Sequence, residues 1–279
     1  FILKKSTLRN NVATSNGAGV FLDNGSLTVI NSTISGNTAG GSGGGIYVSN
    51  NSGSSVTIQN STIVYNHAST GGGISRTNGT YNITNTIIAN NSATSSPDCA
   101  GVIALANFNI IENTVGCSIT SGSNNLNVDP QIDSNLTGVM LVHTLLTGSP
   151  AINAGSASGC PPTDQRGVTR PQGAACDIGA YELIPLYTVT FNANGGTGSM
   201  SNQTQNYNVA TALTLNAFTR TGYTFTGWNT AANGSGTAYA NGATYPFTAD
   251  ATLYAQWSIN SYTVTFNANG GTGSMSNQT

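Results

Sequence analysis

Apolar and polar residues return in the same order along the first third of the chain, once every 25 to 29 residues. An apolar row is followed three positions later by an asparagine row and two positions after that by an alanine row. The rows are Leu8, Ile34, Ile63 and Ile88; Asn11, Asn37, Asn66 and Asn91; and Ala13, Ala39, Ala68 and Ala93. Self-similarity at such a period is typical of a repeat architecture whose units stack on their neighbours.

Each repeat contains three short stretches of β-prone residues. In one of them apolar residues occupy alternate positions, which is the period of a half-buried strand. The alternating pairs are Leu27 and Val29, Val56 and Ile58, and Tyr81 and Ile83. A unit of this size cannot bury its own apolar face, so the repeats predict an all-β, right-handed parallel β-helix with three-strand coils of about 25–29 residues. We expect these side chains to point into the coil: Leu27, Ile34, Val56, Ile63 and Ile83.

Stacking also assigns roles to the polar rows and to the variation in coil length. Coils spaced about 4.8 Å apart allow the asparagine side chains to hydrogen-bond along a ladder. The recurrent Gly19, Gly45 and Gly73 are expected at corners that need a positive φ. Insertions at Gly40-Gly41-Ser42 and at Asn50-Asn51-Ser52 are assigned to turns.

The periodicity decays after Ser92, so we assign the coils to residues 1–128 and a denser, less regular segment to 129–184. This part of the chain carries all four cysteines, Cys99, Cys117, Cys160 and Cys176, which allow three full pairings. Proximity favours Cys99 with Cys117 and Cys160 with Cys176. Four buried free thiols are the alternative.

The polarity of the chain comes from amides and hydroxyls. Only 6% of residues are charged and the net charge is −2, whereas 38% are hydrophobic, so the chain can bury a core. The seven lysines and arginines form no basic stripe, which argues against nucleic acid and anionic membranes as partners. No apolar run approaches the length needed for direct insertion into a membrane.

The charges that are present concentrate in the middle segment, in Asp164, Arg166, Arg170, Asp177 and Glu182. Paired carboxylates beside arginine are able to perform acid–base chemistry on a sugar. The favoured interpretation is that these charges pair with one another and cap the open end of the solenoid. His67 and His143 are isolated and are interpreted as solvated side chains at turns. We therefore predict no catalytic residue, no metal ligand and no cofactor.

The C-terminal region has its own repeat, because the eighteen residues from Tyr187 to Thr204 recur unchanged as Tyr262 to Thr279. We assign one full repeat to 186–257 and the start of a second to 262–279, and we expect the second to be poorly ordered without its partner strands. Trp228 and Trp257 are either a sugar-stacking platform or, as favoured, part of a small core.

Three family resemblances accompany these patterns. Gly-Gly-Gly-Ile (43–46 and 71–74) with Ile-x-x-Asn (34–37 and 63–66) resembles the β-helix of polymorphic outer-membrane proteins. Ser-Pro-Ala-Ile-Asn-Ala-Gly (149–155), Asp-Gln-Arg-Gly (164–167) and Asp-Ile-Gly-Ala-Tyr-Glu (177–182) resemble the terminal segment of choice-of-anchor Q surface proteins.

The third resemblance covers the C-terminal repeat. Tyr-Thr-Val-Thr-Phe-Asn-Ala-Asn-Gly-Gly (187–196), Gly-Tyr-Thr-Phe-Thr-Gly-Trp-Asn (222–229) and Asp-Ala-Thr-Leu-Tyr-Ala-Gln-Trp (250–257) resemble the Listeria-Bacteroides repeat, also called the internalin B-type B repeat. That resemblance implies a small β-grasp-like module arrayed on surface proteins.

Together the patterns and resemblances lead to a secreted or cell-surface bacterial protein without catalytic activity. The favoured function is an adhesin or stalk that binds extracellular glycans or host surface proteins, and the chain is expected to be a monomeric piece of a longer multidomain protein. A β-helix polysaccharide lyase or glycoside hydrolase and a purely structural spacer are the alternatives.

Overall fold

The structure, a computed structural model, describes residues 1–49 and 53–279 and divides into two compact units, Phe1–Leu183 and Ile184–Thr279. The insertion at Asn50, Asn51 and Ser52 lies outside the described residues. Within the described ranges the regular elements are β-strands, apart from one turn of 3-10 helix at Ala157–Gly159. A helix long and apolar enough to cross a membrane is absent from these residues.

The first unit is a parallel β-helix, as the repeats predict. Its strands are β1 (Ile2–Lys4), β2 (Thr7–Arg9), β3 (Val12–Ala13), β4 (Val20–Leu22), β5 (Ser26–Ile30), β6 (Thr33–Ser35), β7 (Thr38–Ala39), β8 (Ile46–Val48), β9 (Ser55–Gln59), β10 (Thr62–Val64), β11 (His67–Thr70), β12 (Ile74–Arg76), β13 (Thr80–Thr84), β14 (Ile87–Ala89), β15 (Ser92–Ser95), β16 (Cys99–Ile103), β17 (Leu105–Asn107), β18 (Ile110–Ile111), β19 (Cys117–Ile119) and β20 (Gly122–Ser123). Every pairing between them is parallel, so each strand lies on its counterpart in the next coil.

These strands stack into four sheets in the described part of the unit. The first sheet has the order β1-β5-β9-β13-β17-β20, the second β18-β14-β10-β6-β2, the third β15-β11-β7-β3 and the fourth β19-β16-β12-β8-β4. The expectation of three strands per coil is therefore wrong, and a complete coil has four. The third-sheet strands are short and polar, for example Thr38–Ala39, so they carry no apolar alternation that would reveal them in the sequence.

The predicted inward residues form the core of the β-helix. Ile34, Val56, Ile63 and Ile83 have no exposed surface and Leu27 is 1% exposed. The row register is also confirmed, because Leu8 pairs with Ile34, Ile34 with Ile63 and Ile63 with Ile88. Each coil thus places the same kind of side chain directly over the previous one.

The asparagine ladder is confirmed as well. Asn37 Nδ2 donates to Asn66 Oδ1 at 2.9 Å, and Asn66 Nδ2 donates to Asn91 Oδ1 at 3.0 Å. The ladder ends on a carboxylate, since Asn91 Nδ2 donates to Asp98 Oδ1 at 2.9 Å. Buried amides are thereby satisfied from coil to coil, as buried polar groups must be.

The recurrent glycines have a different role from the one expected. Gly45 has an ordinary φ, and a Cβ there would clash with the backbone carbonyl oxygen of Gly73 in the next coil. Close approach of stacked backbones, rather than a positive φ, therefore requires glycine. The left-handed corner before the second sheet is instead occupied by Asn31, Asn60 and Asn85, with φ of 46°, 43° and 50°.

Residues 129–183, here called the flank segment, run back along the outer face of the second sheet. Met140 O accepts a hydrogen bond from Thr7 Oγ1 in the first coil at 2.7 Å, and Ala180 N donates to Thr62 Oγ1 in the third coil at 3.0 Å. A second apolar core fills the space between sheet and segment: Val64, Ile87, Ala89, Ile110, Ile132, Leu145, Ala151 and Ile178. The segment covers a side of the solenoid, and the expectation that its charges seal the open end is wrong. The outer face of the second sheet is apolar at Val64, Ile87, Ala89 and Ile110, and these later coils need this cover.

The second unit is a small β domain. Its strands are β21 (Leu186–Asn192), β22 (Gln203–Asn206), β23 (Thr211–Ala212), β24 (Tyr223–Asn229), β25 (Ala238–Tyr239), β26 (Thr244–Tyr245) and β27 (Ala251–Ile259). The main sheet has the order β22-β21-β27-β24-β25 with a parallel central pair, β21 and β27. That order and central pair are those of a β-grasp sheet, while an irregular stretch containing β23 joins β22 to β24.

Candidate functional site

The charged residues of the flank segment come together, as the sequence analysis expected them to pair. Arg170 lies at the centre, where one guanidinium nitrogen donates to Glu182 Oε2 at 2.8 Å and the other to Gly179 O at 2.7 Å. Arg166 donates to Asp164 Oδ2 at 2.9 Å and 2.7 Å through two nitrogens. These charge-assisted bonds fold the segment onto itself.

The carboxylates of this cluster accept hydrogen bonds from the segment's own backbone. Asp164 Oδ1 accepts from the N–H groups of Arg166 at 2.8 Å and Val168 at 2.9 Å. Asp177 accepts from Leu183 N at 2.6 Å, and burial raises the pKa of Asp177 above its ordinary value. Asp164 and Glu182 have no exposed surface. The cluster can therefore organise the segment, but an external substrate has no access to its carboxylates.

Both disulfides join neighbours in sequence, which is the pairing favoured above. Cys99–Cys117 links the fourth-sheet strands β16 and β19 of adjacent coils. Cys160–Cys176 closes a loop within the flank segment. The described residues contain no free cysteine.

The two histidines lie in different environments. His67 is exposed, with Nδ1 2.9 Å from Ser92 Oγ. The expectation of a solvated turn is wrong for His143, which is buried with Nε2 2.8 Å from Ser35 Oγ and Nδ1 2.7 Å from Asp133 O. Burial lowers the pKa of His143. Across residues 1–49 and 53–279, His, Cys, Asp and Glu side chains form no group of three that could hold a metal ion.

The tryptophans do not form an exposed platform. Trp228 has no exposed surface and packs at the centre of the second unit, 4.9 Å from the ring of Phe191 and 5.0 Å from that of Phe225. Trp257 is half-buried, and its Nε1 donates to Ala193 O at 3.0 Å. A sugar-stacking role for Trp228 is thus excluded, and the core interpretation fits its position.

An open groove runs across the coils on the outer face of the first sheet, between that face and the flank segment. It consists of two adjoining cavities of about 480 Å³ and 350 Å³, both lined by Gln59, Ser158 and Gly159. Its floor comes from outward-facing residues of successive coils: Lys4, Ile30, Thr57, Gln59, Asn82, Thr84 and Asn107. We call this feature the flank groove.

The wall of the flank groove, residues 156–163, is held in place by side chains of the β-helix. Asn85 Nδ2 donates to Ser156 O at 3.0 Å, and Ser156 N donates back to Asn85 Oδ1 at 2.8 Å. Asn31 Nδ2 donates to Thr163 O at 2.6 Å, and the Cys160–Cys176 disulfide tethers the same loop. Buried asparagines of the coil corners therefore position the wall.

Sequence reasoning missed the flank groove because its wall depends on contacts between distant parts of the chain. The floor residues were recognisable only as outward-facing polar positions. One local signal was visible: Phe108 precedes Asn109 where Asn31, Asn60 and Asn85 precede Ser32, Ser61 and Thr86. An aromatic residue where the three preceding coils have asparagine marks one end of this groove.

Comparisons with known proteins match only parts of the chain. Residues 187–256 match the Listeria-Bacteroides repeat domain. A Gly-rich membrane protein of Evansella cellulosilytica is 59% identical over 51 residues, which cover 18% of this chain and 6% of that protein. No solved structure matches the chain. The first match supports the assignment of residues 186–257 to a Listeria-Bacteroides repeat.

Proposed function

We propose that this chain belongs to a non-catalytic bacterial surface protein, an adhesin or stalk that binds extracellular glycans or host surface proteins. One observation carries the proposal: the clustered carboxylates are buried, whereas the polar groups that line the accessible flank groove are mainly amides and hydroxyls. Groups of that kind bind polar polymers by hydrogen bonds and lack the acids that hydrolysis or elimination requires.

The location at the cell surface is supported by the two partial matches. The Listeria-Bacteroides repeat is typical of surface proteins, and the Evansella cellulosilytica relative is named as a membrane protein. Two disulfides fit an oxidising compartment outside the cytoplasm. The resemblance of residues 129–184 to choice-of-anchor Q proteins belongs to the same proposal.

A carbohydrate-active enzyme is the alternative from another class, and it would have to work through the flank-segment charges. We expect no new reducing ends or unsaturated products from pectin, alginate or glycosaminoglycans, with or without calcium. Turnover that vanishes in Asp164→Asn or Asp177→Asn, with the melting temperature retained, would overturn the proposal. Loss of folding in those variants instead supports the organising role of the cluster.

Binding itself is tested by probing a glycan array and a panel of immobilised extracellular-matrix proteins with the fluorescently labelled chain. We expect saturable binding to at least one polymer. A chain that is folded by circular dichroism but binds none of them would contradict the adhesin function and favour a structural spacer.

A further inference from the structure

We propose that the flank groove binds an uncharged linear polysaccharide, with the ring of Phe108 as the platform for one sugar. This inference rests on the proposed binding function and assigns it a site and a ligand class. It is carried by the backbone at Phe108, by unpaired side chains along the floor and by the distribution of charge.

Phe108 occupies a backbone position that suits asparagine better. Its φ is 54°, in the left-handed region that Asn31, Asn60 and Asn85 occupy in the preceding coils. Asparagine enters this region routinely, whereas a bulky aromatic residue there is an outlier that costs energy. Phe108 is half-buried, lines the groove and belongs to none of the described apolar cores. A strained aromatic residue without a core to fill is well explained by a ligand.

The floor offers hydrogen-bonding groups that the protein leaves unused. Among the described residues, the side chains of Thr57, Asn82 and Thr84 have no hydrogen-bond partner, and all three line the groove. Thr57 pairs in register with Asn82, so these two groups lie on adjacent coils, about 4.8 Å apart. A polymer of hydroxyl-bearing rings lying along the solenoid axis can hydrogen-bond to both coils.

Charge narrows the ligand class. Among the described residues no carboxylate lines either cavity of the groove, and the charged lining residues are Lys4 and Lys5 at one end. Along the remaining floor there is no cation to pair with the carboxylates of a polyuronate, so desolvating them there is unfavourable. A peptide that adds as a strand is a poorer fit, because strand addition needs a free sheet edge and this floor is the face of a sheet.

The test measures affinity by calorimetry for linear hexasaccharides of glucose, xylose, mannose and galacturonic acid. Phe108→Asn introduces the residue that the three preceding coils have at this position, so the fold should be retained or stabilised. Its affinity for the bound neutral hexasaccharide should fall about tenfold, the equivalent of one lost ring contact. Asn82→Ala should weaken binding to a similar degree. Phe21→Asn is the matched control, because Phe21 is exposed on the fourth sheet, away from the groove lining.

The outcomes separate this inference from the function on which it rests. Neutral hexasaccharide binding that weakens in Phe108→Asn and Asn82→Ala but not in Phe21→Asn supports it. Equal affinity in all variants, or tighter binding of the galacturonic acid hexasaccharide, overturns the flank groove as a neutral-glycan site and leaves the adhesin function standing. Binding to matrix proteins but to no hexasaccharide also overturns the neutral-glycan site and leaves the adhesin function standing. Absence of binding to every polymer and protein overturns both.

Discussion

The β-helix and the second unit build their cores in opposite ways. In the β-helix, Ile34, Ile63 and Ile88 lie on top of one another and have nearly the same surroundings. In the second unit, Trp228 packs against the rings of Phe191 and Phe225, which share no period with it. One core is a row repeated from coil to coil, and the other is a single cluster around one large side chain.

That difference decides how each region responds to change. In a stacked array each coil contacts only its neighbours, so stability is spread along the solenoid and a defect acts on adjacent coils. A single cluster has no equivalent positions, and loss of a central residue affects the whole domain. Both tryptophans of the chain lie in the second unit, so their fluorescence reports on that unit alone, while hydrogen exchange reports on the coils.

The strongest test of the stacked core is Ile63→Asp. It places an unpaired charge between two coils and should destabilise the β-helix by about 5 kcal/mol or more. Hydrogen exchange should show lost protection in β6, β10 and β14, with tryptophan fluorescence of the second unit unchanged. Ile63→Val is the control and should cost about 1 kcal/mol. Native protection in the aspartate variant would show that the row register is wrong.

The repeated coils could be predicted from the sequence in more detail than the flank segment, which has no repeat. Each position of a coil recurs in several coils, so the sequence shows which residue type the position requires. The inward orientation of Ile63 and the ladder through Asn66 could therefore be predicted. The flank segment has no repeat to average over, and its position depends on distant contacts such as Gln165 Nε2 to Thr7 Oγ1 at 2.8 Å. The continuous apolar run Ile87-Ile88-Ala89 did indicate that the second sheet is covered on its outer face, because a strand buried on both faces lacks alternation.

Substitutions in the asparagine ladder should also destabilise neighbouring coils, but by less free energy than Ile63→Asp. Asn66 accepts from Asn37 Nδ2, and its own Nδ2 donates to Ile34 O and Asn91 Oδ1. Asn66→Ala leaves these buried groups unpaired and should cost roughly 3–5 kcal/mol in denaturant unfolding of the β-helix. Asn11→Ala, at the exposed end of the ladder, should cost only about 1 kcal/mol. Equal losses at the two positions would refute the ladder as a source of stability.

The carboxylate at the far end of the ladder adds a pH dependence that the second unit does not share. Burial raises the pKa of Asp98 from its ordinary value of 3.8 to about 6. The folded state therefore favours the protonated form, and stability should fall as pH rises from about 4 through about 6, by about 3 kcal/mol in total.

Asp98→Asn removes this titration, so the difference between wild type and variant reports on Asp98 and not on the other titrating groups of the unit. Burial lowers the pKa of His143, so that residue acts in the opposite sense and costs stability as pH falls below 6.5. Chemical unfolding between pH 4 and pH 8 should show a difference between wild type and variant that changes from about pH 4 to about pH 6 and is constant above that. A pH-independent difference would mean that Asp98 is ionised throughout.

The smallest effect on stability is expected for substitutions in the second copy of the C-terminal repeat. The eighteen residues 187–204 and 262–279 are identical, yet Phe191 is 7% exposed beside Val189 at 0%, whereas Phe266 is 42% exposed beside Val264 at 54%. Phe191→Ala should destabilise the second unit by about 3–5 kcal/mol, whereas Phe266→Ala should change its stability by less than about 0.5 kcal/mol. Amides of 262–279 should also exchange fast, because an isolated hairpin-sized segment is marginal in water. The shared sequence makes each copy the control for the other, so equal effects of the two substitutions on tryptophan fluorescence unfolding would mean that the second copy also packs into a core.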